Sequence, residues 1–234
     1  MTRGPKPLPG EGSPLSVSDP EAVLQVKIWL LGTSPMVWRR VLVPAAFTLG
    51  ELHGVFQVTM GWEGHHLYQF GLRAVRYGSS ELCASSPDVT LAALQLRKGA
   101  RFSYEYDLNI PWAHEVRVED RVQPDTSAFY PACTGGSGHC PPEDCGSPEG
   151  FMAHRDDATS WEALEELREL ADVLGEVAEE WRPEQLDEET LWRLERAVER
   201  GKARERAQGR PFARRSVNAR LRNGEHQVLM HQQW

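Results

Sequence analysis

Two neighbouring segments alternate strictly, and that alternation constrains the fold more than any other feature of the chain. In VLQVKIWLL, Leu24, Val26, Ile28 and Leu30 point one way, while Gln25, Lys27 and Trp29 point the other. In MVWRRVLVP, Val37, Val41 and Val43 share one side, and Trp38, Arg40 and Leu42 share the other. A period of two marks a strand with one buried face. GTSP, residues 32–35, lies between them and is turn chemistry, so the pair reads as a hairpin. The apolar side of such a hairpin needs a cover.

The next segment supplies one. In TLGELHGVFQVTMGW, Leu49, Leu52, Val55, Phe56 and Met60 recur at helical spacing. Thr48 with Glu51 three residues on is a capping box, and Gly61 is the expected stop. HLYQFGL and RAVRYG follow as short strands, and DVTLAALQLRKGA is expected to hold a short helix. RFSYEYDL sets Phe102, Tyr104 and Tyr106 on one side; HEVRVED does the same with His114, Val116 and Val118. Strands outnumber helices and do not alternate with them. The expected class is α+β: an antiparallel-rich sheet with helices packed on one face, followed by C-terminal helices.

Those last helices carry their own signals. Thr159 with Glu162 is a second capping box, heading a stripe of Trp161, Leu164, Leu167, Leu170, Leu174, Val177 and Trp181. Asp187 caps a further helix, with Leu186 and Leu191 at staple positions and Gly201 as its natural stop. The expected organisation is a disordered tail over 1–21, an α+β domain over 22–151, acidic helices packed on it over 152–201, and a basic tail over 202–234. Residues 1–21 are Pro/Gly/Ser-rich and lack the apolar stretch of a signal peptide. No run of about 18 apolar residues occurs, which excludes an ordinary transmembrane helix. A cytoplasmic location is expected.

Net charge is −8, unevenly spread. Residues 142–199 carry 5 basic and 19 acidic side chains; residues 200–222 carry 9 basic and one acidic. The basic stretch calls for something anionic, either a partner or the protein's own acidic helices. Arg210, Arg214, Arg215 and Arg220 are its candidates for nucleic-acid contact, with Phe212 able to stack.

YPACTGGSGHCPPEDCG concentrates three of the four cysteines. Cys133, Cys140 and Cys145 are spaced C-x6-C-x4-C, with His139 beside Cys140. Zinc takes four N or S ligands in a tetrahedron, and this Gly-rich segment offers four. The alternative is free thiols holding a Pro-kinked loop. Cys83 stands apart as a core or surface thiol. Glu143 and Asp144 read as turn caps or ion-pair partners rather than an acid/base pair. Trp62, His65, His66 and Tyr68, with Trp112 and His114, form a candidate ligand pocket; the alternative is core aromatics with edge histidines. Arg39 and Arg40 are set on opposite strand faces, in ion pairs or in solvent; the alternative is contact with phosphate.

Three stretches carry a resemblance: IWLLGTSPMVWRRVLVPAAFTLGELHGVFQVTMGWEGHHLYQF, FSYEYDLNIPWAHEV and YPACTGGSGHCPPEDCGSPEGF. In that order, over residues 23–151, they resemble the plasmid pRiA4b ORF-3-like family. EEWRPEQLDEE resembles the family's usual end. The resemblance implies an α+β domain of bacteria and archaea, often linked to plasmids and mobile elements. The chain departs from the family at Asp107-Leu108-Asn109-Ile110-Pro111-Trp112, where a Gly and a second acid are usual.

No Gly-rich phosphate loop, hydrolase elbow or two-His metal helix is present. The leading functional expectation is a non-catalytic binding or interaction module for a protein or small ligand, stabilised by zinc. The alternatives are a nucleic-acid-associated accessory protein of a plasmid or transposable element, and an enzyme of unassigned chemistry.

Overall fold

The computed structural model describes residues 16, 19–79, 85–143, 145–157, 188–209 and 211–231, with scattered positions between 161 and 175. The strands are β1 (Val23–Leu30), β2 (Trp38–Pro44), β3 (Tyr68–Leu72), β4 (Val75–Gly78), β5 (Arg101–Tyr106), β6 (Trp112–Val122) and β7 (Ala132–Ser137). They form one sheet in the order β4-β3-β5-β6-β1-β2-β7, and every neighbouring pair is antiparallel. The helices are α1 (Leu49–Met60), α2 (Pro148–Asp157), α3 (Glu188–Gln208), α4 (Arg214–Arg222) and α5 (Glu225–Leu229).

The alternation of the first hairpin becomes the two faces of the sheet. Val26 pairs with Val41 and Ile28 with Val116, which aligns the buried sets of three central strands. Phe70, Phe102, Tyr104 and Tyr106 extend that apolar face toward β3 and β5. On the other face Lys27 lies over the Trp38 ring, and Arg40 pairs with Glu119 at 2.5 Å.

Helix α1 covers the apolar face, its Phe56 ring meeting Tyr104 edge-on. The Thr48–Glu51 capping box forms in both directions, and Gly61 ends the helix in a left-handed conformation. Yet α1 is buried nearly all round, not on one stripe, and Gly54 supplies the reason. A Cβ there would stand 2.0 Å from the His226 carbonyl oxygen of α5. Helices α4 and α5 pack on the outer side of α1, and α4 also packs on β7.

That packing corrects the sequence expectation of a basic tail from residue 202. Residues 188–208 are one helix running through Gly201, and Gly209, at φ +76°, follows its end. Arg- and Ala-rich KARERAQ has high helix propensity, and a lone Gly does not stop it. Residues 214–222 then dock by burying Val217 and Leu221. The expected helix within 88–100 is also absent. Leu91 and Ala92 donate their N–H groups to Phe47 and Ala45, and Thr48 bridges Thr90, so the backbone is held in turns. β7 lies within the stretch read as a loop; ACTGGS carries too little apolar pattern to announce a strand.

Trp161, Leu164, Leu167 and Leu174, the described members of the expected helical stripe, are helical and exposed. The capping pairs at Thr159, Glu162 and Asp187, the tail over 1–15, Cys83, Asp144 and Arg210 lie outside the described residues. No helix among the described residues is long and apolar enough to cross a membrane.

Candidate functional site

Three element ends converge at one edge of the sheet. The left-handed turn at Gly61 leads the chain out of α1 into residues 62–67. Trp62 is buried there, and its Nε1–H donates to the Pro141 carbonyl at 2.9 Å, fixing the cysteine-rich segment against the end of α1. Tyr106, at the end of β5, stacks on Trp62 with ring centroids 4.9 Å apart. Asp107 follows in a left-handed conformation, φ 57°, and its carboxylate accepts from the Asn109 N–H at 3.2 Å.

Between these ends lies a cavity of about 1090 Å³. Its ligand-capable lining is Glu63, His65, His66, Asp107, Glu143, His154, Cys140 and Cys145. No Lys or Arg lines it among the described residues. Glu143 is held from two directions: Tyr106 donates its hydroxyl to one carboxylate oxygen, and the Glu63 backbone N–H donates to the other at 2.9 Å. His65 Nε2 lies 3.3 Å from Glu63, and His66 Nδ1 lies 3.8 Å from Asp107. Glu63, His65 and Glu143 bring three ligand atoms within 4.8 Å of one another.

The electrostatics separate donors from ligands. Burial and the neighbouring Glu143 carboxylate push the Tyr106 hydroxyl far above its ordinary range, so it stays a phenol and a hydrogen-bond donor. Burial pushes the Cys140 thiol up to about 12 and raises Cys133, outweighing the nearby Arg39 guanidinium. Burial thus favours the neutral thiol at both positions.

The expected residues are divided among three places. Cys133 is buried on β7 and bonded to Gly135, Cys140 and Cys145 line the cavity, and His139 is exposed. Three or more of these four do not come within 4.8 Å as a ligand set; the grouping found among the described residues is Glu63, His65 and Glu143. Of the expected pocket, Trp62 and His66 line the cavity. Tyr68, Trp112 and His114 sit in the core behind it; His114 meets Trp62 edge-on at 5.4 Å. Arg214 and Arg215 line a different cleft, and Arg220 is spent on Glu225 at 2.6 Å. Arg40 pairs with an acid as expected, but Arg39 is fully buried and bonded to carbonyls alone. Glu143 does more than cap a turn: its carboxylate partner is Glu63, 80 positions earlier and beyond the reach of local spacing.

An antiparallel α+β domain with an acidic, imidazole-lined cavity at one sheet edge is thus the class of molecule. The profile of the family "Plasmid pRiA4b ORF-3-like protein" matches residues 22–190, and the chain belongs to that family. The uncharacterized protein y4hQ of Sinorhizobium fredii is 38% identical over 137 residues, covering 56% of this chain and 70% of that protein. A crystal structure of MM3350, a protein of unknown function from Methanosarcina mazei Go1, is similar at a TM-score of 0.55 with 28% identity. That likeness covers 61% of this chain and 84% of the other.

Proposed function

We propose that the protein is a non-catalytic binding module whose working site is the acidic cavity, and that the cavity holds a divalent transition metal, zinc in the first instance. The observation that carries this reading is the approach of Glu63, His65 and Glu143 within 4.8 Å in a cavity without Lys or Arg among its described lining. Tetrahedral zinc with bonds near 2.1 Å sets its ligand atoms about 3.4 Å apart. Small side-chain movements of exposed Glu63 and His65 reach that spacing. Carboxylate and imidazole suit zinc and its neighbours in the first transition row. Tyr106 and the Glu63 N–H orient Glu143 as outer partners orient a metal ligand. Three protein ligands leave a coordination position open, which a small anionic ligand can complete. All three stretches that carry the family resemblance contribute to this one cavity.

The test is zinc titration of the full chain by calorimetry, with metal analysis of the purified protein. Glu143→Gln and His65→Ala should each weaken zinc binding by at least about tenfold, in line with the penalty for disturbing metal sites. Cys133→Ser should leave it unchanged. Zinc held equally well by all three variants, or lost only in Cys133→Ser, would overturn the assignment.

A further inference from the structure

A second cleft, of about 550 Å³, lies at the start of the cysteine-rich segment. Cys133, Thr134, Arg214, Arg215, Asn218 and Arg222 line it. We propose that this arginine cleft binds a phosphate group, with Arg214, Arg215 and Arg222 as its charged contacts.

The spacing places the groups together. Positions 214, 215, 218 and 222 fall on one face of α4, since residues three and four apart are neighbours on a helix. Asn218 fixes that face against β7. Its side chain donates to the Cys133 carbonyl at 2.9 Å and accepts from the Cys133 N–H at 2.7 Å. Arg214 donates one nitrogen to the Thr134 carbonyl at 3.3 Å, which aims the guanidinium and leaves its other donors open.

What marks these three is that they gather in one cleft without a counter-charge. Arg40, Arg101, Arg155 and Arg220 each pair with a carboxylate. Arg214, Arg215 and Arg222 pair with none among the described residues, and no acid lines their cleft there. Arg214 and Arg215 also open a helix with no acidic residue in its first turn and no side-chain cap at Ala213. Cations at that end oppose the helix dipole, and unmet N–H groups there add to the positive field. An anion in the cleft relieves both. Guanidinium forks match phosphate oxygens bidentately, which makes phosphate the fitting anion. The helix lies outside the matched family region, 22–190, and no residue lines both clefts, so this site is tested apart from the proposed metal cavity.

Phosphate can come from a nucleic-acid backbone or from a free phosphate, and the test has an arm for each. A fluorescent 20-base-pair duplex is titrated with the full chain at several salt concentrations, and inorganic phosphate is titrated separately by NMR. Three backbone contacts give a log–log salt slope of about −2.7. Arg215→Gln with Arg222→Gln should reduce that slope by about 2 and weaken binding. Arg101→Gln with Arg117→Gln, an equal charge change on the distant β5–β6 pair, should leave both unchanged. Duplex binding with this pattern assigns a nucleic-acid backbone. Saturable phosphate binding lost in the first double variant, with no duplex binding, assigns a free phosphate. Binding of neither probe, or binding indifferent to Arg215 and Arg222, overturns the proposal.

Discussion

The two clefts share a wall and differ in sign. Residues 132–146 contribute to both: Cys133 and Thr134 line the arginine cleft, while Cys140, Glu143 and Cys145 line the acidic cavity. The acidic cavity is built from ends of sheet and helix that the core holds in place. The arginine cleft is built from a docked C-terminal helix against an edge strand. Buried Arg39 braces the segment that contributes to both. Its guanidinium donates to the carbonyls of Thr59, Trp38, Ser137 and Gly138, and the Phe212 ring covers it at 4.4 Å. One side chain thereby ties α1, β2, the dividing segment and the C-terminal approach together.

The largest expected effect removes both clefts at once. His53 and His114 are sealed in the core and held near 3 by burial, below the ordinary 6.5. Their folded-state values lie below the unfolded one, so their contribution is fully present above about pH 6.5 and is lost as pH falls toward 3. Each histidine loses roughly 1.4 kcal/mol for every pH step of one in that window, so the pair loses about 5 kcal/mol between pH 6.5 and about 4.5. That rivals the whole stability of many domains. Urea midpoints should drop steeply across this window. A midpoint unchanged from about pH 7 to 4.5 would contradict the neutral, sealed state of these histidines.

Next in size is the shared wall. Arg39→Leu takes the guanidinium from four carbonyls; the buried one, of Thr59, costs about 1–3 kcal/mol when left unpaired, and the three part-buried ones add less. A loss of at least about 3 kcal/mol in urea unfolding is expected, with zinc and phosphate binding falling together. Loss of one kind of binding with the other intact would show that the clefts do not depend on a common wall.

How much of this was legible in the sequence follows from how far apart the interacting residues stand. Alternation exposed β1, β2, β5 and β6, because each strand buries one face and the pattern is local. The capping box fixed the start of α1 for the same reason. Arg39 was legible in register, on the side of Val37 and Val41, but not in burial: nothing local says that four carbonyls wait for a guanidinium. The acidic cavity was half legible. His65, His66, Cys140 and Cys145 stand in distinctive stretches, whereas the Glu63–Glu143 approach depends on Trp62 reaching Pro141. The docking of α4 rests on two buried apolar residues, Val217 and Leu221, four apart among arginines. That pair is the one sequence signal that could have revealed it.

The smallest expected effect has a sign that decides how the chain enters the arginine cleft. Read from sequence, Gly201 is a helix stop, which would require a left-handed backbone and make alanine unfavourable. In the structure Gly201 has helical backbone inside α3, with nothing within 4 Å of an added Cβ. The stop falls instead at Gly209, where a Cβ would stand 2.0 Å from the Cys140 carbonyl oxygen. Glycine inside a helix is less favourable than alanine by about 0.5–1 kcal/mol, so Gly201→Ala should stabilise α3 by that amount. Amide exchange within α3 should slow roughly two- to fivefold, while both clefts keep their affinities. At a true stop the same substitution would destabilise, because alanine resists positive φ. Faster exchange in the variant would therefore place the helix end near residue 201, and the approach of the chain to the wall between the clefts would have to be redrawn.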